Sequence, residues 1–160
     1  TPLYSSAASD VYKRQAFIEL ETASRTRFAH YSPATLPGKT LDGYFDRQLA
    51  RYGEYLRAGT GMRRAVFLLG GGELVGHVNL SDIVRGVSHR CNLGWRVHTE
   101  HVRRGCGREA VSAVLQQVFA TESHGGPALH RAECAIQPDN TPYLRLALSL
   151  GFRVEGFALR

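Results

Sequence analysis

The chemically richest stretch of the chain is Val102-Arg103-Arg104-Gly105-Cys106-Gly107-Arg108. Behind it, Val111, Val114, Leu115 and Val118 fall at i, i+3, i+4 and i+7, the spacing of one apolar helix face running to about residue 121. The first N–H groups of a helix have no intrahelical partner, and the helix dipole adds partial positive charge there. Glycines let the backbone close on an anion, and flanking arginines add charge-assisted hydrogen bonds. The segment reads as a phosphate-holding turn, although the same residues also suit a plain glycine turn ahead of a helix. Two other phosphate loops are excluded: a dinucleotide-binding turn needs glycine where Ala110 stands, and a P-loop needs Gly-Lys-Ser/Thr, which this turn lacks. His98 and His101 sit close together, but no third ligand follows at a sensible spacing, so no metal site is expected.

The elements that must position this turn follow from pattern and breakers. Residues 16–29 carry Phe17, Leu20 and Phe28 among charges and suggest a helix. Pro33, Pro37 and Gly38 mark a loop, and Thr40 caps an amphipathic helix bearing Leu41, Tyr44, Phe45, Leu49, Tyr52 and Leu56, closed by Gly59 and Gly61. Segments 64–69 and 73–80, joined by Gly70-Gly71-Gly72, predict a β-hairpin, and 91–97 predicts a third strand. Alternating polarity over 129–137 predicts a strand after the helix that runs to about residue 121. A final helix follows Pro138-Asp139-Asn140 and stops at Gly151, and 152–159 reads as a last strand. The order β-β-β-α-β-α-β behind a helical N-terminal part is a mixed α/β domain.

The motif Val102-x-x-Gly105-x-Gly107 resembles the Q/R-x-x-G-x-G/A loop that grips the coenzyme A pyrophosphate in GCN5-related N-acetyltransferases (GNAT). Leu93-Gly94-Trp95-Arg96-Val97 is similar to that family's fourth strand. Pro138-Asp139-Asn140 with Leu150-Gly151-Phe152 is similar to the P-x-N…LGF element of its last helix. Within the superfamily, residues 75–86, Leu129-His130-Arg131 and Glu155-Gly156 resemble bacterial ribosomal-protein-alanine N-acetyltransferases. The resemblance covers about residues 16–160. It implies a mostly antiparallel, twisted mixed sheet, splayed between the family's fourth and fifth strands and flanked by helices. The family's first strand would precede residue 16 and its last would follow residue 160. Three positions depart from the family pattern: Val102 replaces Gln or Arg, Asn92 replaces a Glu that is a candidate base in many relatives, and Tyr143 replaces a Ser.

The resemblance implies acetyl-CoA as co-substrate and direct attack by a primary amine, which is the N-terminal alanine of a ribosomal protein or a small-molecule amine such as an antibiotic or polyamine. It places the pyrophosphate on Arg103, Arg104, Gly105, Cys106, Gly107 and Arg108. Backbone N–H groups across Trp95, Arg96 and Val97 would polarise the thioester carbonyl. Asn140 would hold the pantetheine arm or a water, and Tyr143 would protonate the leaving thiolate. His77 and Asn92 are the candidates for handling the amine proton; an α-amine with a pKa of roughly 7.7–8.0 needs little help. A non-catalytic acyl-CoA-binding or RNA-binding module is the competing class.

Composition bounds these readings. A chain of 160 residues makes one domain, and 43% apolar residues suffice for a core. The net charge of +6, with eighteen of twenty basic residues arginine, suits an anionic ligand. The charges are scattered singly, with no aromatic-interleaved RNA-binding pattern, so direct nucleic-acid binding is not expected. No apolar run is long enough to span a bilayer. Three cysteines without paired spacing, and no export signal, fit a reducing cytoplasmic compartment; a monomer or homodimer is expected. Residues 1–15 lack periodicity, and SSAASDVYKRQ resembles translated sequencing-adapter sequence, so this segment is read as non-native and 16–160 as the domain.

Overall fold

Local sequence sets the helix ends. The Thr40 hydroxyl accepts the Gly43 N–H at 3.2 Å and starts α2 (Leu41–Ala58), which ends where Gly59 turns left-handed at φ 67°. The computed structural model describes residues 10–31, 40–121, 123 and 126–157. The loop read over 32–39 lies outside them.

α1 (Asp10–Phe28) turns Phe17, Leu20, Glu21 and Ser24 inward and packs on α2 through the Phe17–Phe45 edge contact. It begins six residues ahead of the boundary expected at residue 16, and Arg14 within it ion-pairs with Asp46 at 2.6 Å. The expected boundary therefore falls inside a continuous helix, and residues 1–9 lie outside the described part.

β1 (Met62–Phe67) and β2 (Leu74–Val84) form the hairpin around the glycine triplet, and β3 (Arg90–Val97) adds antiparallel to β2. α3 (Cys106–Phe119) crosses one face and buries Ala110, Val111, Val114 and Val118 on Val66, Val78, Leu80 and Leu93. Each buried valine stabilises the packed state by about 1.5–3 kcal/mol. β4 (Arg131–Glu133) lies parallel to β3, completing an open mixed sheet in the order β1-β2-β3-β4. α4 (Thr141–Ser149) then runs to a stop at Gly151. Four α-helices thus flank the sheet among the described residues, and none of them is long and apolar enough to cross a membrane. All three cysteines are free.

Two strand expectations are corrected. The strand read over 129–137 is confined to the three residues of β4, because its partner β3 diverges after Asn92 pairs with Glu133. Residues 152–157 form no strand. Glu155 ion-pairs with Arg131 there, but a side-chain bond supplies no backbone ladder, and the remaining expected positions lie outside the described residues.

Candidate functional site

The divergence of β3 from β4 opens the site. Pairing runs only over Arg90↔Arg131, Cys91↔Ala132 and Asn92↔Glu133, while β3 continues for five more residues along β2. The His98 N–H donates to the Val75 carbonyl at 2.7 Å, extending the antiparallel register past Gly76↔Val97. In such a ladder the amides alternate in direction, so Arg96 also points toward β2 whereas Trp95 and Val97 point away from it, into the gap.

The Trp95 N–H indeed donates across that gap, to the Tyr143 hydroxyl at 2.9 Å. The two rings stack at 3.7 Å with an interplanar angle of 7°. Tyr143 belongs to the first turn of α4, so α4 is tied to β3 where β4 has left it. Burial raises the Tyr143 pKa well above an ordinary phenol. The Trp95 N–H bond opposes that rise, and the Cys134 thiol, one residue beyond β4, adds to it.

The glycine turn lies against the same gap. Gly105 is the N-cap of α3 at φ 85°, a conformation that glycine adopts without a Cβ clash. Gly107 serves a different purpose: a Cβ there would lie 3.2 Å from Leu146 Cδ2 and 3.3 Å from Val97 Cγ2. Its missing side chain lets α3, α4 and the end of β3 converge. The Glu109 N–H is bonded to the Gly105 carbonyl at 3.0 Å, and among the described residues the amides of 103–108 have no protein acceptor. Arg103, Arg104 and Arg108 are exposed and make no ion pair among the described residues. Several donors and three cations therefore surround one helix start, an arrangement suited to a diphosphate. Asn140 is the N-cap of α4, yet its side chain makes no cap hydrogen bond.

The other candidates lie apart. The Arg96 side chain is on the opposite face, where it meets Glu21 of α1 at 2.5 Å with both groups largely buried. Together with its amide direction, this removes Arg96 from the donors expected at the gap. His77 is paired with Arg96 across the β2–β3 ladder and shares that second face. It is 7% exposed, and its Nδ1 is buried without a partner among the described residues. Burial, followed by the charges of Arg63 and Arg96, holds its pKa well below the ordinary imidazole value. Asn92 donates to Asp82 at 2.7 Å, three residues or about 10 Å along the strand from Trp95. Neither His77 nor Asn92 is brought beside Tyr143. Asp82 escaped sequence reasoning; it reaches Asn92 through the irregularity in the β2–β3 register between Ser81 and Val84, at φ 50°. The Trp95–Tyr143 clasp also escaped it, since nothing in the spacing of the two residues predicts contact. His101 bonds Glu73 at 3.0 Å, and among the described residues no cluster of His, Cys, Asp or Glu could hold a metal.

The model of a family described as an acetyltransferase (GNAT) domain matches residues 12–153. The chain is 31% identical over 86 residues to the [ribosomal protein uS5]-alanine N-acetyltransferase of Escherichia coli (strain K12), covering 54% of this chain and 42% of that enzyme. It thus spans less than half the length of that relative. The fold is similar to that of the ribosomal-protein-S5-alanine acetyltransferase of Vibrio fischeri, with a TM-score of 0.76 and 23% identity over 91% of this chain and 76% of the other. Mycobacterium smegmatis RimJ in complex with CoA-disulfide superposes with a TM-score of 0.78 and 21% identity, covering 91% of this chain and 68% of the other. The divergent strands, the glycine turn at the start of α3 and the family match together establish that this chain belongs to the GNAT acetyltransferase family.

Proposed function

We propose that the chain transfers an acetyl group from acetyl-CoA to a primary amine, with the N-terminal alanine of a ribosomal protein as the preferred acceptor. The observation that carries this reading is the set of amides over 103–108 without acceptors among the described residues, lying with Arg103, Arg104 and Arg108 beside the gap between β3 and β4. The diphosphate of acetyl-CoA lies on those donors, and Asn140 holds the pantetheine arm. The thioester carbonyl takes N–H groups of Trp95 and Val97. Similarity to the uS5-alanine enzyme supports the acceptor.

The amine nitrogen attacks the carbonyl carbon, the C–S bond breaks, and the amine proton ends on the coenzyme thiol. A Tyr143 pKa raised by burial keeps the phenol protonated at neutral pH, so it offers the departing sulfur a hydrogen bond. The same rise makes it a poor full acid toward a thiolate, whose conjugate thiol has a pKa of roughly 8.5. The proton therefore travels from the amine through water to the sulfur, with Tyr143 stabilising the developing charge. His77, a weak base behind one strand, plays no part in this transfer; Asp82, which accepts from Asn92, puts a carboxylate beside the position where relatives carry Glu.

Mass-spectrometric assay of acetyl-CoA with alanine-initiated peptides, alongside a panel of small amines, tests the proposal. Peptide acetylation is the expected result. Turnover of small amines alone would replace the acceptor, and no rise in Tm with CoA would remove the cofactor reading.

A further inference from the structure

The Trp95 N–H that points into the gap is already bonded, and its acceptor is a side chain from a different element. A thioester carbonyl placed between β3 and β4 competes with the Tyr143 hydroxyl for this one donor. Resting on the proposed acetyl transfer, we infer that Tyr143 holds the Trp95 amide in reserve and yields it to the acyl carbonyl, so that arrival of the thioester itself turns the phenol toward the sulfur.

Three observations support this. The phenol oxygen accepts from Trp95, so its own proton is free to donate elsewhere. The stacked rings hold the phenol beside β3 even when that bond is exchanged. The hydroxyl lies beside the β3 backbone at a residue that presents no side chain to it, with the Cβ position of Gly94 3.8 Å from Tyr143 Oη. In the exchange no covalent bond changes: one N–H···O bond to the phenol is replaced by one to the carbonyl, and the hydroxyl, no longer anchored through its oxygen, is released to swing its free O–H toward the sulfur. Free CoA carries no acyl carbonyl and leaves the clasp in place.

The test compares binding of CoA and acetyl-CoA to the wild-type chain and to Tyr143→Phe by calorimetry without acceptor. The variant keeps the ring stack and removes the competing oxygen. Acetyl-CoA is expected to bind the variant about two- to tenfold more tightly, the scale of one neutral hydrogen bond, while the Kd of CoA changes less than about twofold. A variant that binds acetyl-CoA no more tightly, or gains equally for both ligands, overturns the inference while leaving the transferase proposal intact. Wild-type protein that binds neither ligand overturns both. A second readout needs no variant: the Trp95 amide resonance of the wild-type protein should shift with acetyl-CoA and stay near its starting position with CoA. Equal shifts with both would overturn the inference.

Discussion

Asn140 shows how one residue separates two roles that a sequence leaves entangled. An asparagine ahead of a helix is ordinarily a cap, and removing a working cap costs about 0.5–2 kcal/mol. Here the side chain makes no cap bond, so Asn140→Ala should leave urea-unfolding stability within about 0.5 kcal/mol of wild type. The same substitution should raise the KM for acetyl-CoA severalfold. A variant that loses stability and keeps its KM would return Asn140 to a purely structural role. Gly107 predicts the opposite pattern. A methyl group there meets Leu146 and Val97 at 3.2 and 3.3 Å, so Gly107→Ala should lower stability in denaturant unfolding and weaken CoA binding as well. The loss should stay below the roughly 1–3 kcal/mol of an overpacked core, because alanine gains about 1 kcal/mol over glycine in a helix. Sequence reasoning identified both residues through the motifs that contain them. It could not assign them these different consequences, because a motif names positions and does not say what lies opposite.

At the level of elements, the turn into α3 was readable because its requirements are local: glycine at a left-handed φ, helix periodicity after it and charges around it. The hairpin was readable for the same reason. The span of β4 and the absence of a strand over 152–157 depend on whether a partner strand is present, which local polarity cannot report. The direction of each β3 amide likewise follows from its register with β2, so a strand motif alone groups Arg96 with Trp95 and Val97 although alternation turns it away. The charge on the α3 turn leads to a prediction at this scale. Arg103, Arg104 and Arg108 are exposed, so their attraction for a diphosphate is screened by salt. The Kd for CoA should rise with sodium chloride between about 0.05 and 0.5 M, and replacing all three arginines with glutamine should flatten that dependence while weakening binding at low salt. A salt response unchanged in the triple variant would exclude them as the diphosphate's cations.

At the scale of the whole molecule, the buried imidazole of His77 couples the fold to pH. α1 and α2 cover the sheet face opposite α3, and that face holds a buried ion pair, Glu21–Arg96, beside an imidazole with Arg63 and Arg96 for neighbours. A protonated His77 would add a third positive charge in a desolvated place, so its folded-state pKa lies well below the unfolded value of roughly 6.5. Above that value the imidazole is neutral in both states and contributes no pH dependence. As the pH falls through roughly 6.5, the unfolded chain takes a proton that the folded chain refuses, so stability declines by up to about 1.4 kcal/mol per pH unit until the folded-state pKa is reached. The carboxylates held low by arginine, exposed Asp46 and half-buried Glu133, titrate only in a more acidic range and cannot produce this slope. Urea unfolding of the wild-type chain between pH 7.5 and 5.5 should therefore show falling stability, and His77→Gln should flatten the curve over that window whatever its stability at pH 7.5. Parallel curves for the two proteins would place the proton uptake elsewhere and would mean that His77 titrates as it does in the unfolded chain.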